Sequence, residues 1–106
     1  MKNQIKALKF FQKQVSKLDD KSKRVVYDKI QLLKENPYRY KKIHSSHYSK
    51  VFRVRFSIGR KETRLIYVVI EPNVVLVCLL DRKKDYNNLE RYLKKIKDGK
   101  LKVDLF

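Results

Sequence analysis

Four arginines lie at the starts and ends of three apolar runs in this chain of 106 residues. The runs read V-F-R-V-R-F, T-R-L-I-Y-V-V-I and V-V-L-V-C-L-L-D-R, and the arginines are Arg53, Arg55, Arg64 and Arg82. A guanidinium group stays charged and binds phosphate oxygens through two parallel hydrogen bonds. Arginines at strand ends with few acids nearby therefore indicate a phosphate site, and we expect RNA to supply the phosphate.

RNA can be cleaved by attack of its own 2′-hydroxyl, which requires a base, an acid and positive charge at the phosphate. The candidates for the base are His47, His44 and Lys50, in the polar segment before the first run. Histidine titrates near neutrality and is the better base on chemistry alone, but a loop histidine can equally be a solvated or RNA-contacting side chain. Tyr86 could stack on a nucleobase or protonate the leaving oxygen, or it could simply pack at a helix start.

The basic residues have two expected roles. Arg55, Arg64 and Arg82 are expected to stabilise the charge on the phosphate, with Arg53 in support. Four lysines are expected to contact RNA and to make its binding dependent on salt: Lys41, Lys42, Lys83 and Lys84. The alternative for each arginine is an ion pair or a solvated surface charge, which usually contributes little.

The composition bounds the class of protein. A net charge of +17 indicates a polyanionic partner, and 42% hydrophobic residues suffice for one core, so residues 1–106 are predicted to be a single domain. The lone cysteine, Cys78, is expected to be a buried apolar side chain in a reducing cytoplasm. No signal-peptide or membrane-spanning pattern occurs, so no membrane partner is expected. No CxxC, HExxH, glycine-rich phosphate loop or carboxylate cluster occurs, so no metal or small-molecule cofactor is expected.

Two helices are predicted before the apolar runs. The helical spacing of apolar residues within 8–18 predicts the first, and residues 2–7 could form a short edge strand before it. Asp19 or Asp20 can cap the second helix, which must end before Pro37.

The second half of the chain has the pattern of a meander. Segment 38–50 reads as a loop, and antiparallel strands are predicted at about 50–58, 63–71 and 74–81. A third helix is predicted from about Tyr86 to Lys97. The predicted fold class is therefore α+β, with an N-terminal helical hairpin packed on a small antiparallel sheet and a helix at the C-terminal end.

Five pieces of the chain follow one another in an order and spacing that carry a family resemblance. They are F-Q-K-Q-V-S-K-L at 11–18, L-L-K-E-N-P at 32–37, F-R-V-R at 52–55, R-L-I-Y at 64–67 and D-R-K-K-D-Y at 81–86. Together they resemble the RelE/ParE superfamily of bacterial and archaeal toxins. The chain departs from the family pattern at Thr63, where a tyrosine is common, and at Asp81, where a histidine is common.

The resemblance implies one of two activities. RelE-like members cleave mRNA, often on the translating ribosome, whereas ParE-like members inhibit DNA gyrase, and a small antitoxin usually neutralises both. A tyrosine after the basic motif, here Tyr86, is commoner in the nucleases. We therefore expect the toxin of a toxin–antitoxin pair, a metal-independent endoribonuclease with mRNA, the ribosome and an antitoxin as partners. A gyrase-inhibiting toxin and a non-catalytic basic nucleic-acid-binding module are the alternatives.

Overall fold

The structure is a computed structural model, and it describes residues 3–81, 87–99 and 103–106. No helix within these ranges is long and apolar enough to cross a membrane. The described elements are, in chain order, β1 (Gln4–Leu8), α1 (Lys9–Ser16), α2 (Asp20–Glu35), β2 (Lys41–Ile43), β3 (Val51–Ile58), β4 (Lys61–Ile70), β5 (Asn73–Asp81), α3 (Asn87–Lys97) and β6 (Val103–Leu105). The fold class is α+β, as predicted.

All the described strands belong to one sheet, in the order β2-β3-β4-β5-β1-β6. The predicted meander is confirmed, because β3, β4 and β5 are neighbours and pair antiparallel. The sheet is nevertheless mixed rather than purely antiparallel, since β1 pairs parallel with β5 and antiparallel with β6. Strand β1 therefore lies inside the sheet, not at its edge, and its Ile5 and Ala7 are buried with residues of the first two helices.

The helices before the meander start and stop for identifiable reasons. The first begins at Lys9, because Leu8 is the last residue of β1. The carboxylate of Asp19 caps α2 by accepting a hydrogen bond from the amide of Ser22 at 2.7 Å, as predicted. Hydrogen bonds from Ser22, first from its side chain and then from its amide, lower the pKa of Asp19. The helix ends before Pro37, also as predicted.

Two strand boundaries differ from the sequence prediction. Segment 38–50, predicted as a loop, contains the edge strand β2, which is held by its backbone ladder to β3 rather than by apolar alternation. Strand β4 begins at Lys61 instead of Thr63. The β3–β4 turn is only Gly59 and Arg60, so the ladder reaches further towards the turn than the charged sequence there suggests.

Helices cover both faces of the sheet. One buried cluster lies between α1, α2 and one face, and alternate β4 residues such as Leu65 and Tyr67 belong to it. The second cluster lies between α3 and the opposite face, and includes Ile66 and Val68. We call this opposite face the α3 face. Because strand side chains alternate between faces, the α3 face of β4 also carries Arg64.

A side chain of α1 completes the hydrogen bonding of β5. Strand β1 pairs with β5 only from Asn73 to Leu76. Further along β5, the Gln14 side-chain amide donates to the carbonyl of Leu79 at 2.9 Å and accepts from its amide at 2.7 Å. Gln14 therefore takes the place of a strand partner and attaches α1 to the end of the sheet.

Candidate functional site

The β3–β4 hairpin determines where the predicted arginines lie. Gly59 in its turn has a φ of 62°, a conformation that glycine adopts without steric cost. The ladder from this turn pairs Arg55 directly with Arg64. Directly opposite residues of an antiparallel pair share a face, so both belong to the α3 face. Arg53, two residues earlier in β3, belongs to it as well.

A carboxylate joins the two paired arginines. Oε1 of Glu62 accepts a hydrogen bond from Nε of Arg55 at 2.8 Å, and Nη2 of Arg55 donates to the same oxygen. Nη2 of Arg64 lies 3.5 Å from this oxygen. We call these three residues, Arg55, Glu62 and Arg64, the arginine cluster. Both arginines were predicted from the sequence, whereas Glu62 was not, although its position two residues before Arg64 in a strand places it on the same face.

The two arginines of the cluster differ in burial. The side chain of Arg55 is 54% exposed, whereas that of Arg64 is 12% exposed. Nε and Nη1 of Arg64 are buried and have no hydrogen-bond partner in the part of the chain that the structure describes. A buried charged donor without a partner is costly, so its presence in a native structure requires an explanation. An anion bound against one edge of this guanidinium group would supply an acceptor that the described residues lack.

The predicted RNA-contacting lysines of β2 lie on opposite faces. Lys41 pairs with Arg53 and therefore belongs to the α3 face, whereas Lys42 pairs with Phe52 and belongs to the other. Both lysines are exposed. Lys41 extends the positive charge of the α3 face to the edge of the sheet.

His47 lies beside the first turn of α3. The amide and hydroxyl of Ser46 donate to Oε2 of Glu90 at 3.2 and 2.6 Å, and these hydrogen bonds hold the pKa of Glu90 below its usual value. Nε2 of His47 is 3.7 Å from the same oxygen. His47 is thus near the α3 face, with Glu90 as its charged neighbour. His44 is exposed.

Lys50 lies far from the arginine cluster. Its carbonyl accepts a hydrogen bond from the amide of Val69 at 2.9 Å, five residues along the ladder from Arg55, or about 17 Å at the usual rise per strand residue. Its Nζ is 3.2 Å from Glu71 and lies over the ring of Tyr38. We call Lys50, Glu71 and Tyr38 the lysine cluster. The structure therefore does not bring Lys50 together with the predicted phosphate-binding arginines.

Four further predicted site residues fall in segment 82–86, outside the described residues. They are Arg82, Lys83, Lys84 and Tyr86. Their predicted roles in phosphate binding, RNA contact and proton donation stay predictions.

The cysteine has the environment that was predicted. Cys78 is buried against α3, and burial raises the pKa of its thiol to about 12. The thiolate, not the thiol, is the nucleophile, so Cys78 is inert near neutral pH. Among the residues that the structure describes, no group of three or more His, Cys, Asp or Glu side chains is placed to hold a metal ion.

A groove of about 450 Å³ lies next to the arginine cluster rather than over it. It opens between α1, α3 and the end of β5, with the stacked rings of Phe10 and Tyr92 on its wall. Thr63 and Leu80, the chain neighbour and the ladder partner of Arg64, also line it. The cluster arginines do not, so the groove is separate from the candidate phosphate site.

The fold has a known counterpart. No protein-family model matches this chain, and no curated protein matches it. Among solved structures, the chain is similar to a mutant of the E. coli toxin RelE in the free state, with a TM-score of 0.70 and 16% sequence identity over 91% of this chain and 99% of that one. At this identity the similarity concerns the fold alone, and the chain has a RelE-like fold.

Proposed function

We propose that this protein is a toxin of the RelE type that cleaves mRNA without a metal ion. The observation that carries the proposal is Arg64, whose buried guanidinium group has two nitrogens without a partner among the described residues. It lies directly opposite Arg55 in a sheet of RelE-like fold. An RNA phosphate has the charge and the acceptor oxygens that this pair requires.

The proposed reaction needs little from the protein beyond positioning and charge. The ribose 2′-oxygen attacks the adjacent phosphorus, and the bond to the 5′-oxygen breaks. Negative charge grows on the phosphoryl oxygens in the transition state, where fixed guanidinium groups stabilise it most effectively. Arg55 faces solvent and meets the phosphate first, and Arg64 provides the enclosed charge. Arg82 adds a further charge and Tyr86 donates a proton to the leaving oxygen in this proposal.

The net charge of +17 supports the proposed partners. A strongly basic surface accelerates and strengthens binding to polyanions, and mRNA on the ribosome offers a dense array of phosphates. The neutralising antitoxin in this proposal is a small protein acidic enough to offset part of that charge.

The proposal is tested by primer extension on cellular mRNA after brief induction of the protein. The double variant Arg55→Ala/Arg64→Ala is compared with the wild type and with Arg39→Ala/Arg60→Ala. The control removes the same number of arginines from exposed positions, so it corrects for the loss of net charge. We expect new cuts inside coding regions with the wild type and the control, and loss of these cuts with the cluster variant.

Two other results would contradict the proposal and favour its alternatives. Growth arrest with intact mRNA and damaged DNA would indicate a gyrase-inhibiting toxin. Neither arrest nor cuts, with binding that weakens steeply as salt rises, would indicate a non-catalytic nucleic-acid-binding module.

A further inference from the structure

Glu62 is an acid within the most basic part of the chain. Residues 39–64 contain nine Lys or Arg residues, and Glu62 is the single Asp or Glu among them. The residue pairs with Ser57 in the hairpin and lies two residues before Arg64, on the α3 face. Its side chain is 29% exposed, so solvent and ligands can reach it. Glu62 therefore contacts the arginines and can also be reached by a ligand from solvent.

The contacts of Glu62 place a proton acceptor at the candidate phosphate site. Its Oε1 is 2.8 Å from Nε of Arg55 and 3.5 Å from Nη2 of Arg64. A phosphate held by these two guanidinium groups would lie within one nucleotide of the carboxylate. The 2′-hydroxyl that attacks this phosphate belongs to the same nucleotide step, and a general base must be within hydrogen-bond reach of it.

The other basic groups suggested by the sequence are placed differently. Nε2 of His47 faces Glu90 at 3.7 Å. Nζ of Lys50 faces Glu71 at 3.2 Å, at the far end of the ladder. Glu62, in contrast, contacts both Arg55 and Arg64.

We propose, on the basis of the function proposed above, that Glu62 is the general base of the RNA cleavage reaction. Its carboxylate accepts the proton of the ribose 2′-hydroxyl as the 2′-oxygen forms its bond to phosphorus. The bond from phosphorus to the 5′-oxygen breaks, and that oxygen takes a proton from an acid or from water. The products are a 2′,3′-cyclic phosphate and a 5′-hydroxyl, and Glu62 returns its proton to solvent.

In this proposal Glu62 has different hydrogen-bond partners before and after RNA binds. In the described structure its carboxylate accepts the hydrogen bonds that a phosphate would accept from Arg55. When the phosphate binds, the arginine donors can turn to it, and the carboxylate becomes available to the 2′-hydroxyl beside it. The same oxygen atom thus orders the arginines in the resting protein and removes a proton during the reaction.

The test measures cleavage and binding separately, with an RNA whose cut site has been mapped by primer extension. Ribosomes are included if the wild type requires them. The variants are Glu62→Gln, Glu62→Asp and Glu35→Gln. The last removes one negative charge at the exposed end of α2, so it shows how much a change in net charge alone affects RNA binding. Single-turnover rates are measured from about pH 3 to 8, a range that includes the ordinary pKa of a glutamate, and affinity is measured with the same RNA carrying 2′-O-methyl groups, which cannot be cleaved.

We expect Glu62→Gln to lower the cleavage rate by about 10²-fold or more and to abolish the fall in rate at acidic pH. Its affinity for the 2′-O-methyl RNA should match that of Glu35→Gln or exceed it. Glu62→Asp should retain the acidic fall and part of the rate. Glu35→Gln should cleave like the wild type.

Three results would overturn the role of Glu62 and leave the proposed function intact. A Glu62→Gln rate close to that of the wild type, with the acidic fall retained, would assign the base to another residue. A raised rate would make Glu62 a competitor for the phosphate site. A parallel loss of affinity and rate would mean that Glu62 only orders Arg55.

A wild-type protein that cuts no RNA would instead overturn the proposed function, and the role of Glu62 with it.

Discussion

The two ends of the β3–β4 ladder carry the same kind of ion pair in different surroundings. At one end Glu62 joins Arg55 and Arg64, and at the other Glu71 contacts Lys50. In the lysine cluster both charged side chains are well exposed, at 44% and 61%. In the arginine cluster one cation is exposed and the other is almost enclosed.

Burial, more than charge, therefore distinguishes a candidate site from an ordinary surface pair. Water can satisfy every donor of Lys50, so an added anion gains little there. Nε and Nη1 of Arg64 are shielded from water and lack a protein acceptor among the described residues. An anion that reaches either nitrogen gives it an acceptor that the described residues do not supply. The arginine cluster thus has buried donors for the phosphate that we propose to bind there, whereas both charged side chains of the lysine cluster are exposed to water.

The comparison is tested most severely by Arg64→Met, which keeps most of the side-chain volume and removes the charge. We expect the RNA cleavage rate to fall by about 10²-fold or more, because an enclosed charge on the transition state is lost. The midpoint of urea unfolding should stay the same or rise, since a buried cation with unpaired donors is replaced by an apolar group. Initial cleavage rates and urea titrations measure both effects.

The matched control for this variant is Arg60→Met in the exposed hairpin turn. It removes one positive charge and should leave the cleavage rate within about 2-fold of the wild type, as surface charges contribute little individually. Equal losses from the two variants would mean that net charge, not the enclosed guanidinium group, supports the activity. Unfolding of Arg64→Met would show that Arg64 stabilises the fold.

A smaller effect is expected between the two clusters, at the buried Tyr67. Its hydroxyl donates to the carbonyl of Pro37 at 2.6 Å. Tyr67→Phe leaves that buried carbonyl without its donor and should lower the free energy of unfolding by about 1–2 kcal/mol. The exposed Tyr27→Phe is the control and should leave the urea midpoint unchanged. A Tyr67→Phe midpoint equal to that of the wild type would show that the hydrogen bond contributes no net stability.

The smallest effect is expected at the lysine cluster and depends on pH. Hydrogen bonds from Tyr38 first, and then from Lys50, lower the pKa of Glu71. The stability that this carboxylate contributes is therefore present above its ordinary pKa and is lost as pH falls through the lowered value. Glu71→Gln should unfold slightly more easily than the wild type at about pH 7, and the difference should shrink as pH falls through the lowered pKa of Glu71. A difference that persists in acid would assign the effect to packing.

Local signals in the sequence were sufficient to predict most of the helices and strands. The side-chain cap at Asp19 and the proline at Pro37 delimit α2 as predicted, because both act through their own backbone neighbours. The same holds for the meander, whose apolar runs and short turns lie next to each other in the chain. The sequence only allowed a short edge strand over residues 2–7, whereas β1 lies inside the sheet beside β5, a partner that is distant in sequence.

The site was predictable to the extent that it follows from strand alternation. Arg55 and Arg64 were named from their positions at strand ends, and the ladder pairs them. Glu62 was not named because the predicted strand began at Thr63, whereas β4 begins at Lys61 and therefore includes it. Lys50 was grouped with the arginines because it is close in sequence to Arg53, but an extended strand separates residues that a sequence shows as near. Charged residues at the two ends of one strand therefore belong to separate clusters.

The position of β1 also determines the order in which this protein can fold while it is being synthesised. The strand leaves the ribosome before both of its partners, because the parallel β5 and the antiparallel β6 come after the β3–β4 hairpin in the chain. The β3–β4 hairpin can form as soon as it emerges, because its contacts are local. The apolar face of α1, which includes Phe11 and Val15, must wait for the finished sheet. The nascent chain therefore presents its arginine hairpin before its core has closed, and the interval exposes apolar surface to any binding partner or chaperone at the ribosome exit.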